Sequence, residues 1–202
     1  MNFVFISPHF PHTYWNFCQR LKQNGVTVLG IADTPYESLP QGEVGDEEIL
    51  CRGSGAYSAT FIVTGCSMGG FHAGNFFFRR PDLFDTLLAL SGLYYAGYFF
   101  PNYHDQLIYD NSPYDFLRQM PADHPYWDIY RHRRIILCVG QGSWEDELLD
   151  STRQMDALLK EKNVPAWIDY WGFDSAHDWA WWRKQIVYFI DKLLAPDRDY
   201  VI

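Results

Sequence analysis

The sequence predicts one α/β domain, a three-layer α/β/α sandwich whose sheet is mostly parallel. Three observations carry that expectation. The chain opens with a strand–helix–strand pattern. Short β-rich runs then alternate with segments of helical spacing as far as residue 194. Such alternation favours parallel strands with helices on both faces. With 202 residues the chain fits a single domain, 1–202.

Taken in order, residues 2–7 (NFVFIS) read as a short buried strand that ends at Pro8. Tyr14, Phe17, Cys18 and Leu21 give residues 13–23 a helical spacing, which Asn24-Gly25 stops before a strand over 26–32. From 33 to 59 six Pro and Gly residues interrupt every pattern, and a loop is expected. Order returns with a strand at 60–64 (TFIVT), a helix over 72–79 and a strand at 86–90 (TLLAL). Residues 92–130 are rich in aromatics and Pro and allow short helices at most. A strand at 134–139, a helix at 147–162, a strand at 166–171 and a helix at 179–194 complete the chain.

Composition narrows the function classes. Hydrophobic residues make up 48% and aromatics 18%, which is globular and leaves aromatics to line a pocket. A net charge of −9 opposes nucleic acid, whose recognition needs clustered Lys and Arg. The one basic cluster, Arg131 to Arg134, reads as a solvated loop before a strand. No run of eighteen apolar residues is present, so no membrane span is expected. The first fifteen residues lack the basic start and apolar stretch of a signal peptide, and Cys18, Cys51, Cys66 and Cys138 form no CxxC pair. A cytoplasmic protein without structural disulfides is the expectation.

The chemistry concentrates in Gly65-Cys66-Ser67-Met68-Gly69. This G-x-S-x-G pattern is cheap alone, arising by chance in roughly 5–10% of chains this long. Here a β-rich run precedes it and a helix follows, the setting of a nucleophile elbow. Ser67 is the candidate nucleophile, and the backbone N–H of Met68 the candidate oxyanion donor. A base is expected after the last strand, where His177 lies in GFDSAHDW. An acid is expected after the strand 134–139, in GQGSWEDE. Asp146 is the first choice and Glu145 the alternative, with Asp174 and Asp178 further off. Acids here also suit a helix start, where they favour the dipole. His72 reads as a packing residue, and His104, His124 and His132 lack metal-ligand spacing. A metal pair of His9 and His12 is disfavoured. Residues 94–100 (YYAGYFF) read equally as pocket wall and as core.

From about 60 to 195 the chain resembles the putative esterase family of α/β-hydrolases, which includes S-formylglutathione hydrolases (esterase D), feruloyl esterases and antigen 85 acyltransferases. The segments FIVTGCSMGGFHAGNFFFRRPDLFDTLLALSGLY, ILCVGQGSWEDELLDSTRQMDALLKEKNVPAWIDYW and HDWAWWRK carry the likeness. The resemblance implies Ser67, Asp146 and His177 as nucleophile, acid and base, no cofactor, and a small-molecule ester or thioester as substrate. An acyltransferase with the same triad, or a weak or inactive relative, stays open.

The front end departs from the family. Its members usually carry well over a hundred residues before the elbow, where this sequence has 64. Residues 1–40 instead resemble the opening βαβ unit of ATP-grasp ligases, joined to the rest somewhere in 41–59. No ATP-grasp body follows, so ATP binding is not implied. A shortened or replaced N-terminal part would lack the usual second oxyanion donor. The βαβ unit could stand in for the third strand, first helix and fourth strand of the hydrolase sheet, which would bring the N–H of His9 or Phe10 toward Ser67. An incomplete sheet would also leave an edge that favours a homo-oligomer.

Overall fold

The structure is a computed structural model and describes residues 2–6, 23, 27–31 and 61–194. Among the described residues six strands form one sheet in the order β2-β1-β3-β4-β5-β6, and every neighbouring pair runs parallel. They are β1 (Asn2–Ile6), β2 (Thr27–Ile31), β3 (Phe61–Cys66), β4 (Thr86–Leu90), β5 (Arg134–Val139) and β6 (Trp167–Tyr170). The helices are α1 (Met68–Arg79), α2 (Gln106–Asp110), α3 (Pro113–Gln119), α4 (Tyr126–Arg131), α5 (Asp146–Glu161) and α6 (Trp179–Leu194). The α/β-hydrolase-type sandwich expected of the sequence is the observed architecture.

Side chains alternate across a strand, so a sheet covered on both faces sorts each strand into two cores. Strand β4 does this cleanly. Leu88 and Leu90 join Ile62, Ile136 and Cys138 under Trp182, Ile186, Phe189, Ile190 and Leu193 of α6. Leu87 and Ala89 face the other way, with Val63, Ile135 and Leu137, against Phe77 and Phe78 of α1 and Met155, Leu158 and Leu159 of α5. All five residues of β4 are buried, as befits a central strand of a parallel sheet. The short helices α3 and α4 extend the second core with Leu117, Trp127 and Tyr130. Burial raises the pKa of the Tyr130 phenol, which keeps its proton and donates it to the Phe78 carbonyl at the end of α1.

Two boundaries move by two residues or more from the sequence expectation, and packing explains both. Strand β3 runs on to Cys66, because Gly65 and Cys66 pair with Ala89 and Leu90 of β4. Helix α1 begins at Met68, a turn earlier than expected, although Gly69 and Gly70 are poor helix formers. Gly70 is required there: a Cβ would stand 3.0 Å from the Gly92 Cα and 3.1 Å from the Leu90 carbonyl oxygen.

Helix α5 ends in a Schellman motif that aims the chain into β6. Asn163, at φ 54°, donates its N–H to the Lys160 carbonyl, and buried Val164 donates its N–H to the Leu159 carbonyl. Asn tolerates the left-handed region better than most residues, which suits it to this turn.

Cys138 is a free thiol buried in the core. Among the described residues no helix is long and apolar enough to cross a membrane. The expected helix at 13–23 (of which Gln23 alone is described), the loop 33–59 with the join at 41–59, and Cys18 and Cys51 lie outside the described residues.

Candidate active site

The site gathers at the carboxyl ends of three parallel strands, where ligands bind in open α/β sheets. Ser67 follows β3 directly, Glu145 follows β5 after a short loop, and His177 follows β6. Backbone hydrogen bonds carry the sheet ladder past the strand ends and hold these loops. The N–H of Ser67 donates to the Leu90 carbonyl at 2.9 Å, and that of Ser91 to the Cys138 carbonyl at 2.7 Å. Trp171 N–H reaches the Val139 carbonyl at 2.9 Å.

Ser67 sits at φ 55°, ψ −121°, a conformation that L-residues rarely adopt. Such strain costs about 1–3 kcal/mol and persists only when the surroundings enforce it. Gly65 is part of that enforcement, since a Cβ there would stand 2.2 Å from the Gly69 carbonyl oxygen. Gly69 itself would meet nothing within 4 Å among the described residues, so Gly70, beyond the five-residue motif, is the crowded glycine on the helix side. Met68 opens α1, so its N–H has no i−4 partner within the helix and is available to a ligand with negative charge.

The imidazole lies in place. His177 Nε2 is 2.8 Å from Ser67 Oγ. Its backbone N–H donates to the Ser143 carbonyl at 2.9 Å, which ties the base loop to the acid loop. Trp182 of α6 sets its ring at 87° to the imidazole, with centroids 4.8 Å apart. Two glycines permit the loops to touch. A Cβ on Gly140 would stand 2.1 Å from the Ser175 carbonyl oxygen, and one on Gly142 2.8 Å from the same atom. The glycines of the sequence GQGSWED thus let the base loop lie directly on the acid loop.

The carboxylate facing the base is that of Glu145, the residue before Asp146. Glu145 is 1% exposed, and its Oε2 lies 3.4 Å from His177 Nδ1. That separation exceeds ordinary hydrogen-bond length, and neither atom has another hydrogen-bond partner among the described residues. Catalytic contacts of this kind are often long without substrate and tighten with it. The first-choice acid, Asp146, is exposed in the opening turn of α5, where its charge complements the helix dipole beside Glu147. The reason is rotational. The buried face of α5 includes Leu149, Thr152, Met155 and Leu159, and stepping back one turn from Leu149 reaches 145, not 146. Trp144, at φ 66°, makes the turn that feeds Glu145 inward. Asp174 and Asp178 make no hydrogen bond or ion pair with His177; Asp178 instead accepts from the Ala180 and Trp181 N–H groups at the start of α6.

Sequence reasoning missed two side chains linked to the Glu145 carboxylate. Ser91 is fully buried and donates its hydroxyl to Glu145 Oε1 at 2.6 Å. Trp182 Nε1 donates in turn to Ser91 Oγ at 3.1 Å. The only hint was position, since Ser91 follows β4 as Ser67 follows β3.

Other candidates fall to structural roles. His72 is half-buried, with its pKa lowered by desolvation, and its ring edge meets Phe71. His124 Nδ1 accepts from the Tyr126 N–H, His132 Nδ1 donates to the Asp128 carbonyl, and His104 is exposed. Tyr94 is core, while Tyr98, Phe99 and Phe100 are exposed beside it and Phe99 packs edge-on to Phe71. His9, His12 and the Ser7–Phe10 stretch lie outside the described residues.

The model of the family described as "Putative esterase" matches residues 52–192, more than half of the chain. The chain belongs to this esterase family. Solved structures agree on the fold. A ferulic acid esterase superposes with a TM-score of 0.51 at 20% identity, over 66% of this chain and 50% of its own. The fluorophosphonate-binding serine hydrolase F of Staphylococcus aureus gives 0.53 at 19%, over 67% and 54%. The S-formylglutathione hydrolase of the same organism gives 0.51 at 20%, over 67% and 51%. This esterase-family chain therefore spans about half the length of these structures. No curated protein matches it.

Proposed function

We propose that this chain is a serine esterase that hydrolyses carboxylic esters or thioesters of small acyl groups through an acyl-enzyme on Ser67. The observation that carries the reading is the 2.8 Å approach of His177 Nε2 to Ser67 Oγ at a strained strand-to-helix turn, with a buried carboxylate behind the imidazole.

In the first half-reaction Ser67 Oγ attacks the acyl carbonyl carbon while His177 Nε2 takes its proton. The carbonyl oxygen becomes an oxyanion, to which the Met68 N–H can donate. As the intermediate collapses, His177 returns the proton to the departing alkoxide or thiolate, and the acyl group stays on Ser67. Water then enters, gives its proton to His177 and attacks the acyl carbon. Collapse releases the carboxylic acid and restores the Ser67 hydroxyl. Through both halves Glu145 would hold the Nδ1 proton and offset the positive charge of the imidazolium. Every proton is returned, and the sequence of steps calls on no cofactor.

A second oxyanion donor is required for full rate, since losing one donor typically reduces turnover about 10²–10³-fold. Strand β1 lies between β2 and the elbow strand, with Phe5 in register with Thr64. Ile6, the last residue of β1, therefore lies at the same end of the sheet as Ser67. This supports a donor from the N–H of His9 or Phe10, and with it the stand-in role of the opening βαβ unit.

The test is a panel of p-nitrophenyl esters and acyl thioesters graded by acyl length, with and without an added alcohol acceptor. Saturable release that favours short acyl groups and yields free acid is the expected result. Product carried mainly by the added alcohol would assign the acyltransferase chemistry instead, and no release across the panel would contradict the proposal.

A further inference from the structure

We infer that Ser91 is a positioning residue that locks the Glu145 carboxylate in the orientation the triad needs; this rests on the esterase reading above. The carboxylate has two oxygens and one free rotation, so facing His177 with one oxygen requires something to hold the other. Ser91 Oγ lies 2.6 Å from Oε1, short and charge-assisted, while Oε2 is left toward His177 Nδ1. The hydroxyl can give its single proton to Glu145 because Trp182 Nε1 already supplies a donor to the same oxygen, at 3.1 Å. Trp182 also packs on the imidazole, so one side chain braces both ends of the acid–base pair.

The backbone is built for this contact. Ser91 adopts φ 48°, a left-handed conformation that disfavours a side chain, yet it is fully buried. Its N–H continues the ladder to Cys138, and the next residue is pinned on both sides. A Cβ on Gly92 would stand 2.8 Å from the Tyr94 hydroxyl, and Gly70 of α1 presses on the Gly92 Cα from the nucleophile side. Glycine would serve the turn at 91 with less strain; what it could not supply is the hydroxyl.

The experiment compares Ser91→Gly, alone and combined with Glu145→Ala, with the wild type, using p-nitrophenyl acetate and thermal unfolding. Ser91→Gly keeps the backbone preference and should unfold near the wild-type temperature. Loss of a hydrogen bond to a charged group predicts a kcat lowered about 10- to 100-fold with KM within about twofold. In the Glu145→Ala background the same change should cost less than about twofold, because no carboxylate remains to be held. A Ser91→Gly variant with wild-type kcat, or one whose loss is equal in both backgrounds, overturns the proposal and leaves the esterase reading standing. A folded wild type without ester turnover overturns both.

Discussion

Replacing Ser67 by Ala is expected to abolish ester turnover, with kcat falling about 10³- to 10⁶-fold, while His177→Ala should fall to a similar floor. Residues of a triad act as a unit, so removal of nucleophile or base alone removes nearly the whole chemical gain. The 2.8 Å contact between the two side chains is the geometric basis for treating them as one device. Neither variant should unfold. Ser67 is only partly buried at the rim of the sheet, and Ala relieves none of the neighbouring core packing. Steady-state kinetics beside a circular-dichroism melt check both halves of the statement. A Ser67→Ala protein with more than a tenth of wild-type turnover would show that another group carries the reaction.

The second large effect separates two adjacent acids. Glu145→Gln should lower kcat about 10²- to 10⁴-fold, because a neutral amide neither stabilises the imidazolium nor enforces the right tautomer. Asp146→Asn should stay within about twofold, since its side chain is exposed at the start of α5 and meets the site nowhere. Substitutions at charged surface positions away from such features are usually small in effect. The opposite ranking would restore Asp146 as the acid and require the loop after β5 to rotate by one residue.

The reason that pair was hard to read lies in a single turn. The pairing of Ser67 with His177 was legible because each is marked by an order and a setting: strand then sharp turn then helix for one, last strand then loop then helix for the other. The acid loop offers three carboxylates in a row, and local sequence says only that they suit a helix start. What separates them is the phase of α5. Leu149 lies one turn beyond Glu145 on the buried face, and that relation was available in principle from the apolar spacing. The left-handed backbone of Trp144 was not, because Trp has no preference for that region.

The sheet was legible for a different reason. Its runs at β4 and β5 are apolar after their first residues, Thr86 and Arg134, as parallel strands covered on both faces must be. Glycine contacts that work across the fold escaped notice. Gly70 against Gly92, and Gly140 against Ser175, are contacts between segments about twenty to thirty-five residues apart, which no local pattern encodes. Ser91 belongs to the same class, since its meaning comes from Glu145, distant in sequence.

The most direct measurement is labelling of the intact protein with a fluorophosphonate, followed by mass mapping of the adduct. An activated serine should take up one phosphonyl group, carried on the peptide that contains Ser67, and His177→Ala should slow the labelling by at least about 10²-fold. A folded protein that resists the probe, or one labelled at another residue, would contradict the assignment of Ser67 as an activated nucleophile.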